Sequence, residues 1–193
     1  MLVDGLWTGA MVDQHLHLDR SNKFLDAISE FTRSGGTGSM RVHKPGFSTA
    51  LPTVLEGYRA AYTDTLSMAD EVRDEFGIDV GVVLGPHPVA WAHQIEPLGL
   101  ERSTELHLEA VGLALEHIEA GEAVCLGEVG RPHYPGAEQP WAAATAILLG
   151  VLPLSPRAGP QIQLHFEVTA KPTCRELPWR SARGRMPTDW GAQ

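Results

Sequence analysis

An α/β fold built on a parallel sheet is what this sequence predicts, and three observations carry the prediction. Short apolar runs closed by glycine or proline alternate with stretches whose apolar residues recur at helical spacing. Such alternation implies right-handed βαβ units and parallel strands. Ionisable side chains (His15, His17, His87, Glu128 and His165) stand where strands hand over to loops. That end of a (β/α) barrel, or of an open α/β sheet, is where ligands bind. No glycine-rich dinucleotide fingerprint follows the first strand, which favours the barrel over a doubly wound sheet.

Taken in order, residues 11–17 form the first strand candidate. Phe24, Leu25, Ile28 and Phe31 follow at helical spacing, and Gly35-Gly36 stops the run. Ser39 to His43 is a second short strand. The clearest helix runs from about Thr53 to Phe76, with Leu55, Tyr58, Tyr62, Leu66, Ala69, Val72 and Phe76 on one face and Gly77 as its C-terminal stop. The β-branched run 78–84 is a buried strand closed by a Gly85-Pro86-His87-Pro88 loop. A helix then starts near Ser103 or Thr104, with Leu108, Val111, Leu115 and Ile118 on its apolar face, and Gly121 ends it. Residues 123–128 form the fourth strand. Trp141 to Leu152 is a buried helix stopped by Pro153 and Pro156. Gln161 to Phe166 is the fifth strand.

With 193 residues the chain can bury a sizeable core. Hydrophobic residues at 43% and charged residues at 20% mark an ordinary globular protein rather than a disordered one. A net charge of −9 gives no electrostatic support for coating nucleic acid. Cys125 and Cys174 lack zinc-type spacing and make a disulfide framework unexpected. The N-terminus lacks the basic-then-apolar pattern of a signal peptide. No apolar run approaches the ~20 residues of a membrane span. The expected location is cytoplasmic, with no membrane partner. From Lys171 to Gln193 the charge reverses to net +3, against −12 for the rest, and apolar periodicity is lost. The expected division is therefore a barrel region over 1–177 and an irregular basic tail over 178–193.

The chemistry centres on Asp13-Gln14-His15-Leu16-His17. On a strand, alternate side chains share a face, so His15 and His17 project together while Leu16 packs behind. Two imidazoles so placed can grip one divalent cation; two surface histidines on an exposed strand are the plain alternative. Glu128 can serve as a ligand, cap a helix or pair with Arg131. Arg131 can hold a substrate anion through its planar fork, or form a salt bridge. His165 alone reads as a packed histidine. His87 and His133, each beside proline, read as loop residues or supports behind the ligands, and His43, His93, His107 and His117 as structural or exposed.

The ordered set Asp13-Gln14-His15-Leu16-His17, Leu126-Gly127-Glu128-Val129-Gly130-Arg131-Pro132-His133-Tyr134-Pro135 and Gln163-Leu164-His165 resembles the TatD-related metal-dependent hydrolases of the amidohydrolase superfamily. The second string resembles the archaeal branch in particular, as do Gly35-Gly36-Thr37 and Val42-His43-Lys44-Pro45. The resemblance spans about residues 11–177. It implies a TIM-barrel hydrolase holding one or two divalent metals. His15 and His17 would ligate the first, Glu128 would lie between the two, and His165 would ligate the second. Such sites turn bound water into hydroxide and clamp a phosphoryl or acyl oxygen. The implied activity is deoxyribonuclease-like phosphodiester hydrolysis, with Glu128 and Arg131 as catalytic candidates. The mixed nitrogen and oxygen donors admit zinc, manganese, iron or magnesium. On an acidic chain, a small phosphorylated substrate fits at least as well as a nucleic-acid end.

The family pattern continues with a histidine on the sixth strand and an aspartate on the eighth. No histidine follows His165 here, and the only later aspartate is Asp189, beside Trp190 in the aperiodic tail. Only 28 residues follow His165, whereas three βα units need ~90 at ~30 each. The expectation is thus a partial TIM barrel of about five βα units of eight, read as truncated, with open edges. Self-association could cover such an open barrel edge. Two alternatives stay open: a catalytically impaired fragment with a partial metal site, and an amidohydrolase acting on C–N or lactone bonds. The absence of a lysine at the Glu128 position counts against the latter.

Overall fold

Five strands, β3 (Val12–Leu16), β4 (Gly38–Val42), β5 (Asp79–Leu84), β6 (Cys125–Gly130) and β7 (Gln161–His165), lie side by side in sequence order, and every neighbouring pair is parallel. In the computed structural model, which describes residues 2–46, 49–132, 137–154 and 161–166, this sheet curls into a half-barrel. The predicted parallel α/β architecture and partial barrel are both present. The proposed tail over 178–193, together with His133, lies outside the described residues.

Each crossover is helical: α1 (Phe24–Arg33) precedes β4, α2 (Leu55–Phe76) precedes β5, α3 (Pro88–Leu98) and α4 (Leu100–Glu119) precede β6, and α5 (Glu138–Val151) precedes β7. The main core fills the space between helices and sheet. Tyr58, Tyr62, Val72, Leu84, Trp91, Leu106 and Leu126 are all sealed from water, each large aliphatic or aromatic side chain contributing roughly 1.5–3 kcal/mol by burial. A smaller cluster of Val42, Val83 and Cys125, with Met40 against it, lines the opposite, inner face of the sheet. No helix among the described residues is long and apolar enough to cross a membrane.

The structure departs from the sequence reading in three places. First, the segment after β5 is not only a loop. Pro88 opens α3 from its first turn, where a missing N–H is harmless, and His87 is the N-cap, its side chain accepting from the Val89 N–H at 3.1 Å. Second, α4 begins at Leu100 and buries Ser103, Leu106, His107, Ala110, Val111, Leu113 and Ala114, while Leu108 faces solvent. The small Ala110 lets α2 approach, so that the Tyr62 hydroxyl donates to the Ala110 carbonyl at 3.2 Å. Third, an antiparallel hairpin, β1 (Leu2–Val3) and β2 (Leu6–Trp7), precedes the barrel strands. Its Asp4-Gly5 turn has both residues at positive φ (50° and 79°), the geometry that an Asp-Gly pair favours.

Two strands carry an extra residue against their neighbours. Between β3 and β4, Asp13 pairs with Ser39 but Leu16 with Arg41. Between β6 and β7, Leu126 pairs with Ile162 but Val129 with Leu164. Leu126 and Val129 therefore both join the helix-side core although three residues apart, which strict alternation forbids. The bulge turns Glu128, between them, to the inner face.

Gly130 closes β6 at φ 154°, paired with His165, and a Cβ there would collide with the His165 carbonyl oxygen. Gly130→Ala is expected to destabilise the fold by about 2–3 kcal/mol through forced backbone shifts, read as a lower urea midpoint. An unchanged midpoint would show that the β6–β7 contact yields freely.

Candidate metal centre

Strand ends gather the site. His15 closes the bulged stretch of β3, and His17 stands one residue past its end. Glu128 projects from the β6 bulge, His165 is the last residue of β7, and His87 caps α3 just after β5. Four of the imidazoles surround one carboxylate. Glu128 Oε2 lies 3.5 Å from His15 Nε2, 3.3 Å from His17 Nε2 and 3.3 Å from His87 Nε2. Its Oε1 lies 2.8 Å from His165 Nδ1. His15 Nε2 and His17 Nε2 are 3.0 Å apart.

Two donor triads therefore share Glu128: His15, His17 and Glu128, and His87, Glu128 and His165. Atoms each about 2.1 Å from one tetrahedral cation stand about 3.4 Å apart. The first triad has edges of 3.0, 3.3 and 3.5 Å, so one divalent ion fits its three donors.

Backbone partners set the protons on two rings. The Val42 carbonyl, which can only accept, lies 2.9 Å from His17 Nδ1, so neutral His17 carries its proton there and presents the Nε2 lone pair to the triad. His87 is the reverse. Its Nδ1 accepts from Val89, so its proton sits on Nε2 and is donated to Glu128 Oε2. His87 thus braces the carboxylate instead of offering a lone pair. The sequence reading grouped His87 with Glu128 at the strand ends and read it as a loop residue or support behind the ligands; what it lacked was the specific contact with Glu128, although the His-Pro step at the end of a β-branched strand was a signal for an N-cap.

Electrostatics agree with this geometry. Burial works against the charge on Glu128, but hydrogen bonding, that with His165 first, outweighs it and holds the carboxyl far below the usual carboxylate range. Burial also lowers His15 and His87, in each case more than the Glu128 charge raises them, so both rings stay neutral near neutral pH.

Arg131 is 6% exposed and follows β6 directly. Its backbone N–H donates to the His165 carbonyl at 3.0 Å. Its guanidinium lies 4.6 Å from the Trp141 ring centroid and 5.9 Å from that of Phe166. His43 and His107 are buried and His93 is exposed, as the sequence reading expected of them.

The sequence relationships point the same way as the geometry. A protein from Methanocaldococcus jannaschii, the uncharacterized protein MJ1127, is 26% identical over 184 residues, covering 91% of this chain and 61% of the relative. The chain thus spans less than two thirds of that relative's length. No solved structure matches the chain significantly. The family model described as "TatD related DNase" matches residues 12–185, a span that includes both bulged strands and every residue of the two triads, and this chain belongs to that family.

Proposed function

We propose that this protein is a metal-dependent hydrolase acting on phosphodiester bonds. His15, His17 and Glu128 hold one divalent cation in this reading, and Glu128 with His165 contributes to a second position. The observation that carries it is the convergence of three possible ligand atoms, His15 Nε2, His17 Nε2 and Glu128 Oε2, in the first triad. The Nδ1 of His17 is engaged by the Val42 carbonyl, which leaves Nε2 as the ring atom turned to a carboxylate oxygen 3.3 Å away and to His15 Nε2 at 3.0 Å. Edges of 3.0, 3.3 and 3.5 Å match the spacing of donors around one divalent cation.

A divalent ion so held supplies positive charge to a phosphoryl oxygen and acidifies water. The chain's own residues do the rest. His87 keeps the Glu128 carboxylate in one orientation. Arg131, stacked against Trp141 and Phe166, offers its fork to a substrate oxygen. Two imidazoles and a carboxylate suit zinc, manganese or iron; magnesium, which prefers oxygen ligands, fits them least. Because His87 Nε2 carries a proton, the second position has only Glu128 and His165 as donors among the described residues. It is therefore the weaker of the two. With a net charge of −9, the chain suits a short phosphorylated substrate or a nucleic-acid end better than long duplex.

Metal analysis after dialysis is expected to give about one equivalent of zinc, manganese or iron per chain, from the one triad with three donors. Hydrolysis of bis(4-nitrophenyl) phosphate and of a short oligonucleotide is expected to depend on that metal and to stop with a chelator. A chain that retains no metal, or one whose hydrolysis ignores chelation, would sink the proposal.

A further inference from the structure

The last register pair between β3 and β4 is Leu16 with Arg41, so His17 stands just past the ladder that fixes the strand. Arg41, 3% exposed, bridges this gap from β4. Its Nη2 donates to the Leu18 carbonyl at 2.7 Å, immediately after His17. Its Nη1 donates to the Val42 carbonyl at 2.9 Å, the same oxygen that accepts from His17 Nδ1. Its remaining contact is Met68 Sδ, 3.6 Å from Nη2. We propose that Arg41 is a positioning residue for the metal centre, clamping the chain behind His17 and the carbonyl that fixes its tautomer, so that Nε2 faces the cation. This rests on the metal reading above.

The charge of Arg41 is favoured by Asp64 and Asp19 only at longer range. No carboxylate lies within ion-pairing distance of it among the described residues, and its buried Nε has no hydrogen-bond partner. Burial lowers its pKa to about 10, which leaves it charged at neutral pH. A buried cation with no carboxylate in contact is costly, and an apolar side chain of similar size relieves that cost. What an apolar residue cannot do is hold two carbonyls at once. A flexible residue past the end of a strand then loses the orientation of its ring, and partners behind a metal-binding histidine matter for affinity in this way.

The test compares the parent chain with Arg41→Met and Arg41→Lys. Three quantities are read: zinc affinity by competition with a chromophoric chelator, the His17 tautomer by long-range 1H–15N correlation in the metal-free protein, and the melting temperature. Arg41→Met is expected to melt no lower than the parent, to bind zinc about 10–100-fold more weakly, and to show a mixed His17 tautomer. Arg41→Lys, which keeps the cation but not the planar fork, is expected to fall between the two. An Arg41→Met chain with zinc affinity within about two-fold of a zinc-binding parent, and with the Nδ1–H tautomer intact, overturns this inference alone. So does an Arg41→Met chain that fails to fold, since Arg41 would then serve the fold. A parent that binds no zinc overturns the metal reading and this inference with it.

Discussion

Glu128→Gln is expected to abolish tight metal binding while leaving the fold intact. The substitution keeps size and shape but removes the only negative charge among the donors of both triads. Loss of a group that merely supports a ligand weakens binding about 10–100-fold, and loss of the shared ligand is expected to exceed about 100-fold. Hydrolysis should fall in step with metal occupancy. Some stability should be lost as well, since the contacts that hold Glu128 ionised favour the folded state, but circular dichroism of the metal-free variant should match the parent. His87→Gln is the informative contrast: that side chain braces Glu128 without offering a lone pair, so its loss belongs in the 10–100-fold range. A Glu128→Gln chain that kept its full metal content would remove the carboxylate from the centre of the site.

Acid is expected to unfold this protein earlier than its carboxylates alone require. His43 and His107 are fully buried, and burial lowers both to about 3 from an ordinary value near 6.5. His43 Nδ1 faces the Thr65 hydroxyl at 2.7 Å, and that hydroxyl donates onward to the Ala61 carbonyl. His43 therefore carries its proton on Nδ1, and its Nε2 is buried without a partner. Both ring nitrogens of His107 are buried without one, so neither ring has a group ready to receive an extra proton.

The sign follows from which state takes up protons. Between pH 6.5 and about 3 the unfolded chain protonates both rings and the folded chain does not, so stability is complete above 6.5 and falls as pH drops. Each ring contributes about 1–1.5 kcal/mol per pH unit in that window, or about 3 together. Glu128, held low in the folded state, adds its own loss only below its ordinary value near 4.5, so the window from 6.5 to 4.5 isolates the histidines. Against a typical total of about 5–15 kcal/mol, two pH units remove about 5–6 kcal/mol, a third or more of it. Urea titrations across pH 7 to 4.5 read the slope directly, and His107→Leu should reduce it by about 1–1.5 kcal/mol per pH unit. A slope that this variant leaves untouched would show that His107 takes up a proton in the folded state.

Much of the fold was legible because it is local. The Thr53–Phe76 pattern gives a helix of nearly that length, ended at Gly77 in the left-handed conformation. The five strands fall within a few residues of their apolar runs. What was missed depends on partners. Of the predicted apolar face of α4, Val111, Leu115 and Ile118 do pack on the core, but Leu108 faces solvent and Leu106 and Ala110 join the core beside them. Pro88 reads as a breaker until His87 is seen capping the turn it begins. The Asp4-Gly5 turn was readable, but the strands beside it are only two residues each, too short to register as a period.

The sequence alone determined the parallel α/β architecture, the family, and the pairing of His15 with His17 at the end of the first barrel strand, because side-chain alternation and helical spacing need no neighbour to define them. Only the tertiary structure decided that Glu128 points into the half-barrel. Alternation from Leu126 sends it toward the helices, and the bulge that reverses it exists only in the pairing of β6 with β7. The protons on His17 and His87 were decided in the same way, by carbonyl and amide groups that the chain brings to them on folding.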